Sequence, residues 1–312
     1  MPKRLLSTTT PELELLEPGW GLRIGPTGRH AGFLVWMLLS IAWLWQPLAT
    51  VIGRSLSSAG FEHYSHIALL PFISAYMLYL SRRSIFRQAR LDPGIGIPVT
   101  TVGVAATWFA GSAVITAEPE YLLSLSILGL VTLWAGGFIL CHGAPAFGRA
   151  AFPFLLLLFM VPFPPAVLSA VIGFLQRGSA DASELMFGLV GMPVFRQGFH
   201  FALPGLTIHV AEECSGIRSS LALLISGLVM ACLFLRTAWG RTAFVLTIVP
   251  LAILKNAIRI VVLSWLAVHI DPSFITGSIA HRGGGIPIFF ASLATLGGLA
   301  WLLRRAEAWK SR

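Results

Sequence analysis

The feature that most constrains this chain is the repeated return, from one end to the other, of apolar stretches as long as a bilayer is thick. Crossing a hydrocarbon core takes about 20 helical residues, and such stretches fall at 33–52, 62–80, 97–115, 121–140, 151–173, 216–235, 242–268 and 286–303. The second is short if counted from Ile67, so Phe61 to His66 belong to its outer end or to the interface. With 56% hydrophobic and 11% charged residues, the 312-residue chain has too little polar surface to cover a soluble globule. Irregular backbone cannot face lipid unsatisfied, and the runs lack the strict alternation of a barrel strand. The expected fold class is therefore all-α: a polytopic transmembrane helical bundle of about eight spans, with a small hairpin subregion on its outer face.

The net charge of +9 raises the question of a nucleic-acid partner, and its placement answers against one. With the N-terminus inside, the inner segments hold Lys3, Arg4, Arg23, Arg29, Arg82, Arg83, Arg87, Arg90, Arg149, Arg236, Arg241, Arg304, Arg305, Lys310 and Arg312. The outer ones hold Arg54, Arg177, Arg196, Arg218 and Arg282. This asymmetry follows the positive-inside rule and predicts that both termini are cytoplasmic. Residues 1–32 form a cytoplasmic tail, 33–303 the membrane domain and 304–312 a basic tail. The opening segment carries Glu12, Glu14 and Glu17 and no apolar core, so a cleaved signal peptide is not expected. Cys141 and Cys232 are expected near the inner side, far in depth from Cys214, and no disulfide framework is readable.

Between the fifth and sixth spans, the segment 174–213 is expected to be a long outer loop, the kind that carries function. Asp181 to Val190 is expected as a short helix lying in the interface. Beyond Pro193, the extended runs Val194 to Leu203 and Leu206 to Glu212 flank Pro204-Gly205, a pair favoured at the centre of a type II turn. They predict a hairpin. The alternative is an irregular loop anchored by Phe195, Phe199 and Phe201.

This segment leads into Ala211-Glu212-Glu213-Cys214-Ser215-Gly216-Ile217-Arg218-Ser219-Ser220, placing Cys214 where an outer loop becomes the sixth helix. The unpaired N–H groups and positive dipole end there stabilise a thiolate and can cradle an oxyanion. Ser215 suits the N-cap, and Arg218 lies one turn on from Cys214 on the same face. The charges of Glu212 and Glu213 oppose a thiolate unless cations neutralise them. A small buried cysteine at a helix end is the structural alternative. Within the seventh span stand Lys255, Asn256 and Arg259, whose burial costs a few kcal/mol unless they face the bundle interior or snorkel. Arg259 lies roughly 26 Å of helical rise from Thr242, at the outer boundary. Asn256 shares its face at i, i+3, whereas Lys255 is rotated by about 100° from Asn256 and is expected to tolerate substitution. The alternative for Arg259 is snorkelling to outer headgroups. His281 precedes the eighth span within Ala280-His281-Arg282-Gly283-Gly284-Gly285; His200, His209 and His269 are also outer. Thiol chemistry needs a base or a positive neighbour, an acid for the leaving amine and an oxyanion donor, roles open to His281, Arg259 and backbone N–H groups. No HExxH or CxxC spacing points to a metal, and no cofactor is expected.

In Glu213-Cys214-Ser215-Gly216-Ile217-Arg218-Ser219, Asn256-Ala257-Ile258-Arg259 and His281 followed by Gly285, the chain resembles the exosortase/archaeosortase family of membrane cysteine transpeptidases. Gly191-Met192-Pro193-Val194 leading to Leu203-Pro204-Gly205, and His63-Tyr64-Ser65-His66, add to a resemblance covering 33–303. Arg282-Gly283-Gly284 departs from the family context of the histidine. The resemblance implies catalysis by Cys214, Arg259 and His281 on the outer face of a bacterial inner membrane, supported by Ser215, Arg218 and Asn256. The implied partner is an exported protein with a C-terminal, PEP-like sorting motif, a transmembrane helix and a basic tail. The implied reaction proceeds through a thioester on Cys214, resolved by a surface acceptor or by water.

Two other classes of function make different demands. A transporter would use Lys255 and Arg259 as pathway charges and continue a polar track through the inner halves of several spans, which are almost entirely apolar. A structural component of an export system would not need Cys214.

Overall fold

The computed structural model describes residues 26–57, 64–112, 118–210, 216–271, 273–276 and 285–310. The first half is a helical bundle: α1 (Pro26–Trp43), α2 (Trp45–Leu56), α3 (Leu70–Ile85), α4 (Pro93–Gly111), α5 (Pro119–His142) and α6 (Ala144–Leu157). At its centre lies α5, whose Leu130, Leu133 and Phe138 are buried with Leu70 of α3 and Ala146 and Phe154 of α6. Small residues bring α4 and α5 together. A Cβ added at Gly96, Gly103, Gly129 or Gly136 would meet an atom of the facing helix at 2.9 Å or closer, the close backbone approach by which helices associate in lipid.

The second half contains α7 (Pro165–Leu189), a small sheet, α8 (Ile217–Phe234), α9 (Ala238–His269), a helical turn Ser273–Thr276 and α10 (Gly285–Lys310). Leu223, Phe244, Ile248 and Leu296 are buried where α8, α9 and α10 meet. At the far end of this trio, Glu307 of α10 accepts from the backbone N–H groups of Arg236 and Thr237 at 3.0 Å each, closing the start of α9.

The all-α class holds, and the count of spans changes. Among the described residues, five helices are long and apolar enough to cross a membrane, and up to seven spans result if two bent pairs each count as one. The expected first span bends by 79° between α1 and α2, where the ring of Pro47 denies α1 a continuous path past Trp43. Likewise the expected fifth span bends by 94° between Met160 and Pro165, because Pro162, Pro164 and Pro165 leave no continuous run of backbone donors. The expected second span becomes α3, with 16 residues, below the about 20 that span a bilayer. Helix α1 also starts at Pro26, ahead of the expected boundary at 33, and α10 continues to Lys310.

The segment 174–213 is not one long loop, and Asp181 to Val190 is not a separate interfacial helix. Both belong in part to α7, which runs unbroken for 25 residues to Leu189. Its polar residues lower the local hydropathy without ending the helix: Gln176, Ser179 and Ser183 are buried, and Asp181 and Glu184 are exposed. Asp181 and Glu184 each lie 2.8 Å from Nη1 of Arg196 on the sheet. Burial pulls the Arg196 pKa down, but hydrogen bonds and charge from Glu184 and Asp181 outweigh it and the net direction is up. The expected hairpin is present, with one more turn. Strands β1 (Phe195–Gln197), β2 (His200–Leu203) and β3 (Leu206–His209) form an antiparallel sheet in the order β1-β2-β3. Gly205, at φ +76°, makes the expected turn after Pro204, and Gly198, at φ +63°, folds the first run back on itself. Phe201 and Phe187 are buried between this sheet and α7.

Candidate functional site at the head of α8

Gly227 of α8, Ile248 of α9 and Leu296 of α10 meet at one level of the trio. About eleven residues from it, roughly 16 Å of helical rise, α8 begins beside Gly216, α9 carries Arg259 and α10 begins at Gly285. One end of the bundle therefore gathers the described neighbours of all three sequence motifs. Arg259 is half-buried there, and Arg218 is exposed in the first turn of α8. Cys214, Ser215 and His281, expected as nucleophile, cap and partner, lie outside the described residues.

Gly216 enters α8 in the left-handed conformation, at φ +68°. Its carbonyl accepts from Ser220 N–H at 2.8 Å and from the Ser219 hydroxyl at 3.0 Å. On its other side, a Cβ would stand 2.8 Å from Asn256 Oδ1. Only glycine meets both demands, since the conformation costs any other residue about 1–2 kcal/mol and the contact leaves no room for a methyl group. Gly216→Ala is expected to lower any processing that depends on Cys214, the residue expected as nucleophile, roughly tenfold or more, because small displacements of a reacting group are costly, while the protein still accumulates. Wild-type turnover in this variant would show that the head of α8 need not be held so closely.

Asn256 is 2% exposed, and its amide donates to Ser179 Oγ of α7 at 3.0 Å. Lys255, expected within the span and expected to tolerate substitution, faces the bundle interior. It is 4% exposed, and its amino group donates to Ser219 Oγ. At i, i+4 from Arg259 it lies only about 40° around the helix from that residue. That spacing was visible in the sequence. Measuring rotation from Asn256 alone concealed it.

A second polar group belongs to α7. Gln176, Ser179 and Ser183 are buried at 7%, 0% and 0% exposure, at the i, i+3, i+7 spacing of one face. The Gln176 side-chain amide donates to the carbonyl of Val210, just past β3, and Ser183 Oγ donates to the Ser179 carbonyl at 2.7 Å. Treating this stretch as a loop hid the stripe, although its periodicity marks a helix facing protein. Among the described residues, no group of three or more His, Cys, Asp and Glu side chains could hold a metal ion. Cys141 and Cys232 are free thiols, both half-buried.

Fold and site together define a polytopic, helical membrane protein with a polar cluster of Lys255, Asn256, Ser179 and Ser219 built around the start of one helix. The family profile described as transmembrane exosortase matches residues 57–298, and the chain belongs to that family, whose general role is of the membrane transpeptidase type. No curated protein and no solved structure matches it.

Proposed function

We propose that this protein is a cysteine transpeptidase that cleaves the C-terminal sorting signal of an exported protein on the outer side of a bacterial inner membrane. What supports this reading is the shared level of Gly216, Arg259 and Gly285, two, zero and four residues from the members of the Cys214, Arg259 and His281 set. The Cys214 thiolate attacks the carbonyl carbon of the scissile peptide, and the Arg259 fork holds the tetrahedral oxyanion. As the C–N bond breaks, protonated His281 gives its proton to the leaving nitrogen, and the acyl group remains on sulfur as a thioester. Water or an acceptor amine then attacks this carbonyl and passes its proton to His281. The C–S bond breaks, and thiolate and imidazolium are restored. Arg218 and Ser215 sit close enough in sequence to help hold substrate or turn. The substrate's own transmembrane helix and basic tail keep the scissile bond near the membrane surface.

Co-expression with a tail-bearing substrate tests the function: wild type shortens the substrate and Cys214→Ala does not. Orientation has its own test, motivated by the basic residues that mark the inner segments under the positive-inside rule. In a chain with Cys141 and Cys232 replaced, a membrane-impermeant maleimide is expected to label Cys214 in intact cells. Labelling only after the cytoplasmic side is opened would invert the topology and move the reaction to the other compartment.

A further inference from the structure

The segment 211–215 is flanked by two residues whose carbonyls accept from side chains: Val210 from the buried Gln176 of α7, and Gly216 from the half-buried Ser219 of α8, which in turn accepts from the buried Lys255 of α9. At one end, Val210 donates its N–H to the Phe199 carbonyl at 2.9 Å and accepts from the Gln176 amide through its own carbonyl. At the other, the Lys255 amino group donates to Ser219 Oγ, and Ser219 Oγ donates to the Gly216 carbonyl at 3.0 Å. We propose that Gln176 and the Lys255–Ser219 pair are positioning residues that clamp the Cys214-bearing segment from its two ends, a role that rests on the acyl-transfer reading above.

A buried lysine in a membrane helix costs a few kcal/mol and is retained where it does something a leucine cannot. Here it orients a hydroxyl whose proton is directed at a carbonyl just outside the helix. The Gly216 carbonyl takes the first helical hydrogen bond of α8, from Ser220 N–H at 2.8 Å, and the Ser219 hydroxyl adds a second that fixes its direction at a residue held in the left-handed conformation. Gln176 does the same for the carbonyl of Val210, which lies beyond the last β3 pairing of His209 with His200. The five residues between these points reach at most roughly 3.5 Å each. Fixing both neighbours therefore limits where the segment can carry its thiol. Packing alone would not set the direction of either carbonyl, whereas a buried donor left without its acceptor is penalised.

The test uses the full-length protein in detergent, with a synthetic substrate tail bearing the sorting motif and transmembrane helix, and separates kcat from KM. Lys255→Met and Ser219→Ala are each expected to lower kcat about tenfold with KM within about twofold of wild type. The double variant should be no worse than the poorer single one, because both act through one hydrogen-bonded path. Ser219→Thr, which keeps the hydroxyl, recovers part of the loss. Gln176→Met acts at the other end, and its effect multiplies with that of Lys255→Met. Wild-type kcat in Lys255→Met and Gln176→Met would overturn the clamp, as would Ser219→Thr behaving like Ser219→Ala, or losses that track protein abundance with KM rising in step. Should Lys255→Met fail to accumulate, the Ser219→Ala and Ser219→Thr pair decides. Processing by Cys214→Ala would overturn the acyl-transfer reading and the clamp with it; an inactive Cys214→Ala beside fully active clamp variants would overturn the clamp alone.

Discussion

Cys214→Ser is expected to leave substrate processing at background, although it exchanges one small polar atom for another. A serine hydroxyl has a far higher pKa than a thiol, and the partners proposed for Cys214, namely Arg259 and His281, offer cationic help suited to a thiolate. Cys214→Ala should be equally inactive. Both variants are expected to accumulate in the membrane at wild-type levels, because losing one sulfur at a helix end costs little of the packing that holds the spans together. Uncleaved substrate should remain associated with them, since docking of a hydrophobic tail does not require the nucleophile. In wild type, a brief reaction should trap substrate as a hydroxylamine-sensitive adduct on Cys214. Full processing by Cys214→Ala would sink the covalent mechanism.

Arg259→Lys should lose activity on the order of a hundredfold while keeping the positive charge, as expected when an oxyanion donor is removed. A guanidinium presents a planar fork that can grip an oxyanion through two parallel hydrogen bonds, and an ammonium supplies a point charge. Arg259 is half-buried at the level of the bundle where Gly216 begins α8, one turn from Asn256 and Lys255. An arginine that merely snorkelled to headgroups would be replaced by lysine with little consequence. The kinetic signature separates the cases: an oxyanion role lowers kcat and kcat/KM together, whereas lost ground-state binding raises KM alone. Wild-type kcat in Arg259→Lys would move this residue to an anchoring role.

Much of this protein follows from hydropathy and spacing. The helical class, the pairing of extended runs around Pro204-Gly205 and the confinement of Lys255, Asn256 and Arg259 to one helix were all legible, because a bilayer admits few backbone solutions. Prolines were a weaker guide. Pro47 and the Pro162 to Pro165 cluster stood in plain view, yet a proline within an apolar run specifies a break without its angle, and the 79° and 94° bends depend on what packs against each half.

The polar residues of α7 were misread for a related reason: hydropathy cannot distinguish a loop facing water from a helix facing a polar site. What the sequence by itself determined is that this chain crosses a membrane as helices and that its chemistry-bearing motifs fall near the ends of three of them. Only the tertiary structure decided that Lys255 turns toward Ser219, that Asn256 donates to Ser179 and leaves no room for a side chain at Gly216, and that Gln176 holds Val210. Those contacts join residues 34 to 77 positions apart. Their formation rests on the rotation of each helix about its axis, which side-chain packing across the whole bundle sets and local sequence does not.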